Sequence, residues 1–141
     1  METYSNDSII RRLAVSESLS LEDAERHFYG LLQFLTLAAS SDESLVPSKP
    51  IDEAWHVFLL HSEVYATYCH NYLGRFIHHR PTREPESRTD YRTRYSRTIE
   101  LARRQFGEEL DSEVWVDPEH TVCQTADCGG GGCASMCRMK R

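Results

Sequence analysis

Between Ser20 and Ala38 the apolar residues Leu21, Ala24, Phe28, Leu31, Leu32, Leu35 and Ala38 recur mainly at intervals of three and four. That period is the strongest constraint in the chain. A side chain returns to the same face of an α-helix every three or four residues, so this stripe can be buried along one line only if the segment is helical. Ser20 followed by Asp23 supplies a capping-box-like start. The same period returns elsewhere. Ile9, Ile10, Leu13 and Val15 predict a short helix within residues 7–18. Ile51, Trp55, Phe58 and Leu59 predict another, and Tyr65, Tyr68, Cys69, Tyr72 and Leu73 continue the pattern to Gly74, a residue suited to the left-handed conformation that ends helices. Tyr91, Tyr95, Ile99, Ala102 and Phe106 line one side of a last long helix closed by Gly107. The expected fold is all-α, a small bundle of four to five helices, with Val114, Trp115 and Val116 packed back on it as an extended anchor.

The stretch from Val46 to His79 carries most of the chemistry. It contains five of the seven histidines and one of the two tryptophans. Pro50 falls where a helix tolerates proline, in the first turn, whose N–H groups have no intrahelical partner. Ser62 offers a possible cap after His61, so the pattern is read as two helices with a break there. Asp52 and His56 stand four apart and share a helix face, and a carboxylate so placed can orient an imidazole. His56, Cys69 and His78 or His79 are residue types that transition metals prefer. If the two helices fold back on one another, His56 and Cys69 approach across the hairpin and a histidine after Gly74 closes the set. His78 is preferred over His79, because adjacent side chains seldom point to one spot. A packing interpretation stands beside this one, with His56 bonded to Asp52 or a carbonyl and Cys69 a small buried hydrophobe. Thiol catalysis by Cys69 finds no supporting motif, and no phosphate-cradling loop is present.

The run VPSKPIDEAWHVFLLHSEVYATYCHNYLGRFIHH resembles the glycine-rich domain-containing protein-like family, in its compact bacterial form. Asp52, Trp55, His56, Tyr65, Cys69, Gly74, Phe76, His78 and His79 carry the resemblance, which extends more weakly over residues 20–116. It implies an α-helical domain and no settled biochemical activity.

With 141 residues the chain has room for one domain with a real core. It divides into a helical domain over residues 1–117 and a flexible Cys/Gly-rich tail over 118–141. The composition, 40% hydrophobic and 27% charged, is that of a globular protein, and no eighteen-residue apolar window suggests a membrane span. The N-terminal residues lack the layout of a secretory signal, so a cytoplasmic location is expected. A net charge of −6 argues against nucleic acid. Residues 75–104 nevertheless hold nine arginines against four acids, which reads as a solvated face or as a surface for an acidic protein partner.

In the tail, Cys123, Cys128, Cys133 and Cys137 surround four consecutive glycines at 129–132. Clustered thiols in a reducing compartment favour metal or redox chemistry over disulfides, and the glycines let the chain wrap a soft cation. The spacing lacks the C-x-x-C pair common in zinc sites. The leading expectation is a small metal-binding protein using zinc or iron, with His56, Cys69 and His78 as one site and the four tail cysteines as a second. A helical adaptor, or a carrier of a tail modified by a partner enzyme, are the alternatives.

Overall fold

A computed structural model describes residues 4–80 and 88–117. Among these residues the chain forms five α-helices and no strand, and 71% of them are helical. The helices are α1 (Asp7–Ser16), α2 (Leu21–Ser40), α3 (Lys49–Leu60), α4 (Ser62–Tyr68) and α5 (Arg88–Phe106). A π-helical turn, Cys69–Leu73, extends α4, and a short 3-10 turn, Gly107–Glu109, follows α5. Residues 118–141, with Cys123, Cys128, Cys133 and Cys137, lie outside the described residues, so the expected tail site does too. Among the described residues no helix is long and apolar enough to cross a membrane.

Side-chain caps set the helix starts. Asn6, Ser20 and Ser48 each accept a hydrogen bond from the backbone N–H three residues on, at 3.2, 3.0 and 3.3 Å. This satisfies a donor that the helix itself leaves unpaired. The break after His61 falls where expected, but Ser62 is not the cap. His61 occupies that position without a capping side chain, and its Nδ1 lies 3.1 Å from the Val57 carbonyl oxygen. Gly74 and Gly107 end their elements at φ of 79° and 57°, the left-handed region that glycine enters without a Cβ penalty.

α2 is the central element, packed against α1, α3, the π turn and α5. It buries Phe28, Leu31, Phe34, Leu35 and Leu37 in addition to Gly30 and Gln33, more of its circumference than one stripe predicts. At the helix start the stripe overreaches, since Leu21 is 58% exposed, and in α1 Val15 faces solvent while Ala14 is buried in its place.

The segment after α5 is a turn rather than the expected extended anchor. Val114 and Trp115 both donate their N–H groups to the Asp111 carbonyl, and both side chains are buried. The turn is held by polar contacts. Trp115 Nε1 donates to Gln33 Oε1 at 3.1 Å, and the buried Ser48 hydroxyl, besides capping α3, donates to the Val114 carbonyl at 2.7 Å. Outside, Arg26 grips Asp111 through two bonds of 2.7 and 2.9 Å and reaches Glu113 at 2.8 Å. That guanidinium holds the Asp111 carboxyl below its ordinary range.

Gly30 lets this turn approach α2. A Cβ added there would lie inside the van der Waals radius of Val114 Cγ1. We expect Gly30→Ala to lose about 1–2 kcal/mol in urea unfolding, the overpacking cost of about 1–3 kcal/mol outweighing alanine's helix preference of about 1 kcal/mol. In a Val114→Ala background the clash is absent, and the same substitution becomes neutral or stabilising.

Candidate metal centre

Asp52 and His56 lie one turn apart on α3. Asp52 falls in the first helical turn, where the helix dipole favours a negative side chain. The third member comes from residues 75–80, a strap that leaves Gly74 and crosses back over α3. The strap has no regular structure, and specific contacts hold it. Arg75 donates from Nη2 to the Ala38 carbonyl at 2.7 Å, at the C-terminal end of α2 where unpaired carbonyls favour a cation. Ile77 is buried. Its carbonyl accepts a short hydrogen bond from the Tyr65 hydroxyl, which itself accepts from Trp55 Nε1 at 3.0 Å. Burial pushes the Tyr65 phenol well above its ordinary range, so it stays a donor.

Ile77 enters the core, and His79, two residues on, turns to α3. His79 packs edge-on against the Trp55 ring at 4.5 Å between centroids, with its side chain 15% exposed. Phe76 and His78 are both exposed, their rings 4.8 Å apart, and Phe76 packs edge-on against the Tyr65 ring at 5.3 Å between centroids.

The site expected from sequence was His56 with Cys69 and His78. Among the described residues, the group of metal-ligating side chains that converges is Asp52, His56 and His79, with donor atoms all within 4.8 Å. Cys69 is a buried free thiol in the core, at the start of the π turn, and does not join it. Asp52, read from the sequence as an orienting partner, supplies a donor itself. Which of the two adjacent histidines turns to α3 follows from the burial of Ile77, which the tertiary structure decides.

His79 Nε2 lies 2.7 Å from Asp52 Oδ1 and 3.1 Å from His56 Nε2, and the third side of the triangle is 3.5 Å. Which nitrogen donates depends on the tautomers of the two rings, and a His79 Nε2–H can be shared between Asp52 Oδ1 and a lone pair on His56 Nε2. A cation serves all three atoms. They lie on a circle of about 1.8 Å radius, so an ion at the roughly 2.0–2.2 Å usual for such ligands reaches each from about 1 Å off their plane. The three donors are thus spaced as one face of a coordination sphere would require.

A carboxyl pair stands beside the group. Glu53 and Glu17 share a hydrogen bond, and burial together with that bond raises the Glu53 carboxyl from 4.5 to about 7, while Glu17 is lowered. A carboxyl whose folded value is raised binds its proton more tightly in the folded state, so its contribution to stability is lost as pH rises from about 4.5 through about 7. Glu53→Gln keeps a neutral donor toward Glu17. In chelator-treated protein we expect it to flatten the decline in melting temperature between pH 5 and pH 8.

Tyr65 is the residue through which the core positions His79. Tyr65→Phe strands the Trp55 indole N–H and the Ile77 carbonyl, each buried unpaired group costing about 1–3 kcal/mol. Urea unfolding should show a loss of about 2 kcal/mol or more, and amide exchange of residues 76–80 should accelerate more than that of α2.

The model of the UCP032817-like family, a family with no assigned activity, matches residues 3–113. Comparison with curated proteins and with solved structures gives no significant match. The family match overturns the resemblance to the glycine-rich domain-containing protein-like family. Four of the nine residues behind that resemblance do packing and turn work: Trp55, Tyr65 and Cys69 fill the core, and Gly74 supplies a left-handed turn. Such residues serve any chain that turns a helix into a returning strap. This small helical protein belongs to the UCP032817-like family.

Proposed function

We propose that this is a metal-binding protein whose ion is held by Asp52, His56 and His79. The convergence of their three donor atoms, two imidazole nitrogens and a carboxylate oxygen brought from α3 and the strap, carries this reading. Such a donor set suits zinc or iron(II), and three protein ligands on one face leave positions for water or another molecule, as in catalytic and regulatory sites rather than structural ones. An adaptor role for the arginines of α5 has less support. Arg97 makes two bonds to Glu43, at 2.9 and 3.0 Å, and Arg104 pairs with Glu100 at 2.7 Å, so both are engaged within the chain.

Elemental analysis of protein purified without chelator should find close to stoichiometric metal. Because His79 packs on Trp55, binding of Zn2+ or Co2+ should alter tryptophan emission. Asp52→Asn, His56→Ala and His79→Ala should each weaken binding by about 100-fold or more, while His78→Ala leaves it unchanged. Metal retained by His79→Ala but lost in His78→Ala would sink this assignment.

A further inference from the structure

The Asp52, His56 and His79 group lies in the wall of an open cleft of about 870 Å³ between α3, the strap, the loop before α3 and the start of α5. That volume falls in the range of small-molecule sites, about 300–1,000 Å³. Its charge differs from that of the chain as a whole, which carries a net −6. Lys49, Arg75, Arg80 and Arg94 line it, against the acids Asp42, Glu43 and Asp52. Of those acids, Asp52 belongs to the metal group and Glu43 is neutralised by Arg97 through two hydrogen bonds. On the cationic side, Arg75 bonds the Ala38 and Ser41 carbonyls and pairs with no carboxylate among the described residues. Arg80 forms no ion pair with an acid among the described residues. A divalent ion held by two neutral imidazoles and one carboxylate adds a further net positive charge, with its open positions available to the cleft.

We propose that this cleft binds a small dianionic molecule, a dicarboxylate or a phosphate-bearing acid. One anionic oxygen of the ligand completes the coordination of the ion, and its second charge is met by the guanidinium groups of Arg80 and Arg75. Arginine suits this task, because its planar fork matches the geometry of carboxylate and phosphate. Trp55, Phe76 and Tyr91 also line the cleft and provide apolar contact for the body of such a ligand. This inference rests on the metal reading above.

The test uses the full chain loaded with Co2+, whose visible absorption reports the coordination sphere. Succinate and glycerol 3-phosphate are titrated separately, with neutral succinamide as a control, and calorimetry is run on the loaded and the metal-free chain. The expected result is a saturable change in the Co2+ spectrum with one of the two anions and not with succinamide. Binding should depend on the metal and be about tenfold or more weaker in Arg80→Ala, with partial recovery in Arg80→Lys. Arg80→Ala itself should still hold cobalt. The responding probe identifies the ligand as carboxylate or phosphate. Cobalt bound with no response to either anion at millimolar concentration would overturn the anion site and leave the metal reading standing. Binding unchanged in Arg80→Ala would also overturn it, and failure to bind cobalt at all would overturn the metal reading.

Discussion

The Tyr65 hydroxyl is the contact on which the arrangement of this protein's chemistry depends. It accepts from Trp55 on α3 and donates to Ile77 on the strap, so one buried oxygen ties the helix bearing two of the candidate ligands to the segment bearing the third. The strap has no ladder or helix of its own to fix it. Its backbone polar groups must therefore find partners one at a time, and an orphaned buried carbonyl would be costly. The burial of Ile77 and the hold of Arg75 on the end of α2 complete the anchoring. Held so, the strap carries His79 to Asp52.

The other half of the site depends on where α3 begins. Ser48 caps that helix and also binds the Val114 carbonyl, while the backbone N–H of Val46 donates to Thr98 on α5 at 3.0 Å. Two short polar side chains, both fully buried, thus pin the entry of α3 to the C-terminal turn and to α5. Asp52 and His56 follow within the next two turns of helix, so little chain remains over which their position could drift. The Arg26 contacts to Asp111 and Glu113 lie at the surface and are screened by solvent. They orient the C-terminal turn more than they stabilise it.

Charge separates the cleft from the remainder of the surface. The arginines of α5 with carboxylate partners within reach form pairs, Arg97 with Glu43 and Arg104 with Glu100. Those on the strap meet carbonyls or solvent instead. Of the arginines in this part of the sequence, Arg75, Arg80 and Arg94 line the cleft, while Arg97 and Arg104 are paired along α5. Neutralising Glu43 from outside the cleft removes an acid that would otherwise oppose an anion there.

The helices were legible in the sequence because their causes are local. A three-and-four apolar period, Ser20 and Ser48 before their first turns, Pro50 inside one, and Gly74 and Gly107 at the ends each act over a few residues, and each element formed where these signals placed it. Signals at element edges read less well, as with Val15 and Leu21, since periodicity names a face without saying how far the neighbouring element covers it. Asp52 and His56 were recognisable as a pair because i and i+4 always share a helix face. The choice of His79 over His78, and the separation of Cys69 from the histidines, belonged to the tertiary structure. A cysteine inside a helical stripe goes to the core if the stripe is buried, and the facing of the strap is set by which residue the core admits. Ile77, held by Tyr65, made that decision, and no spacing within the sequence contains it.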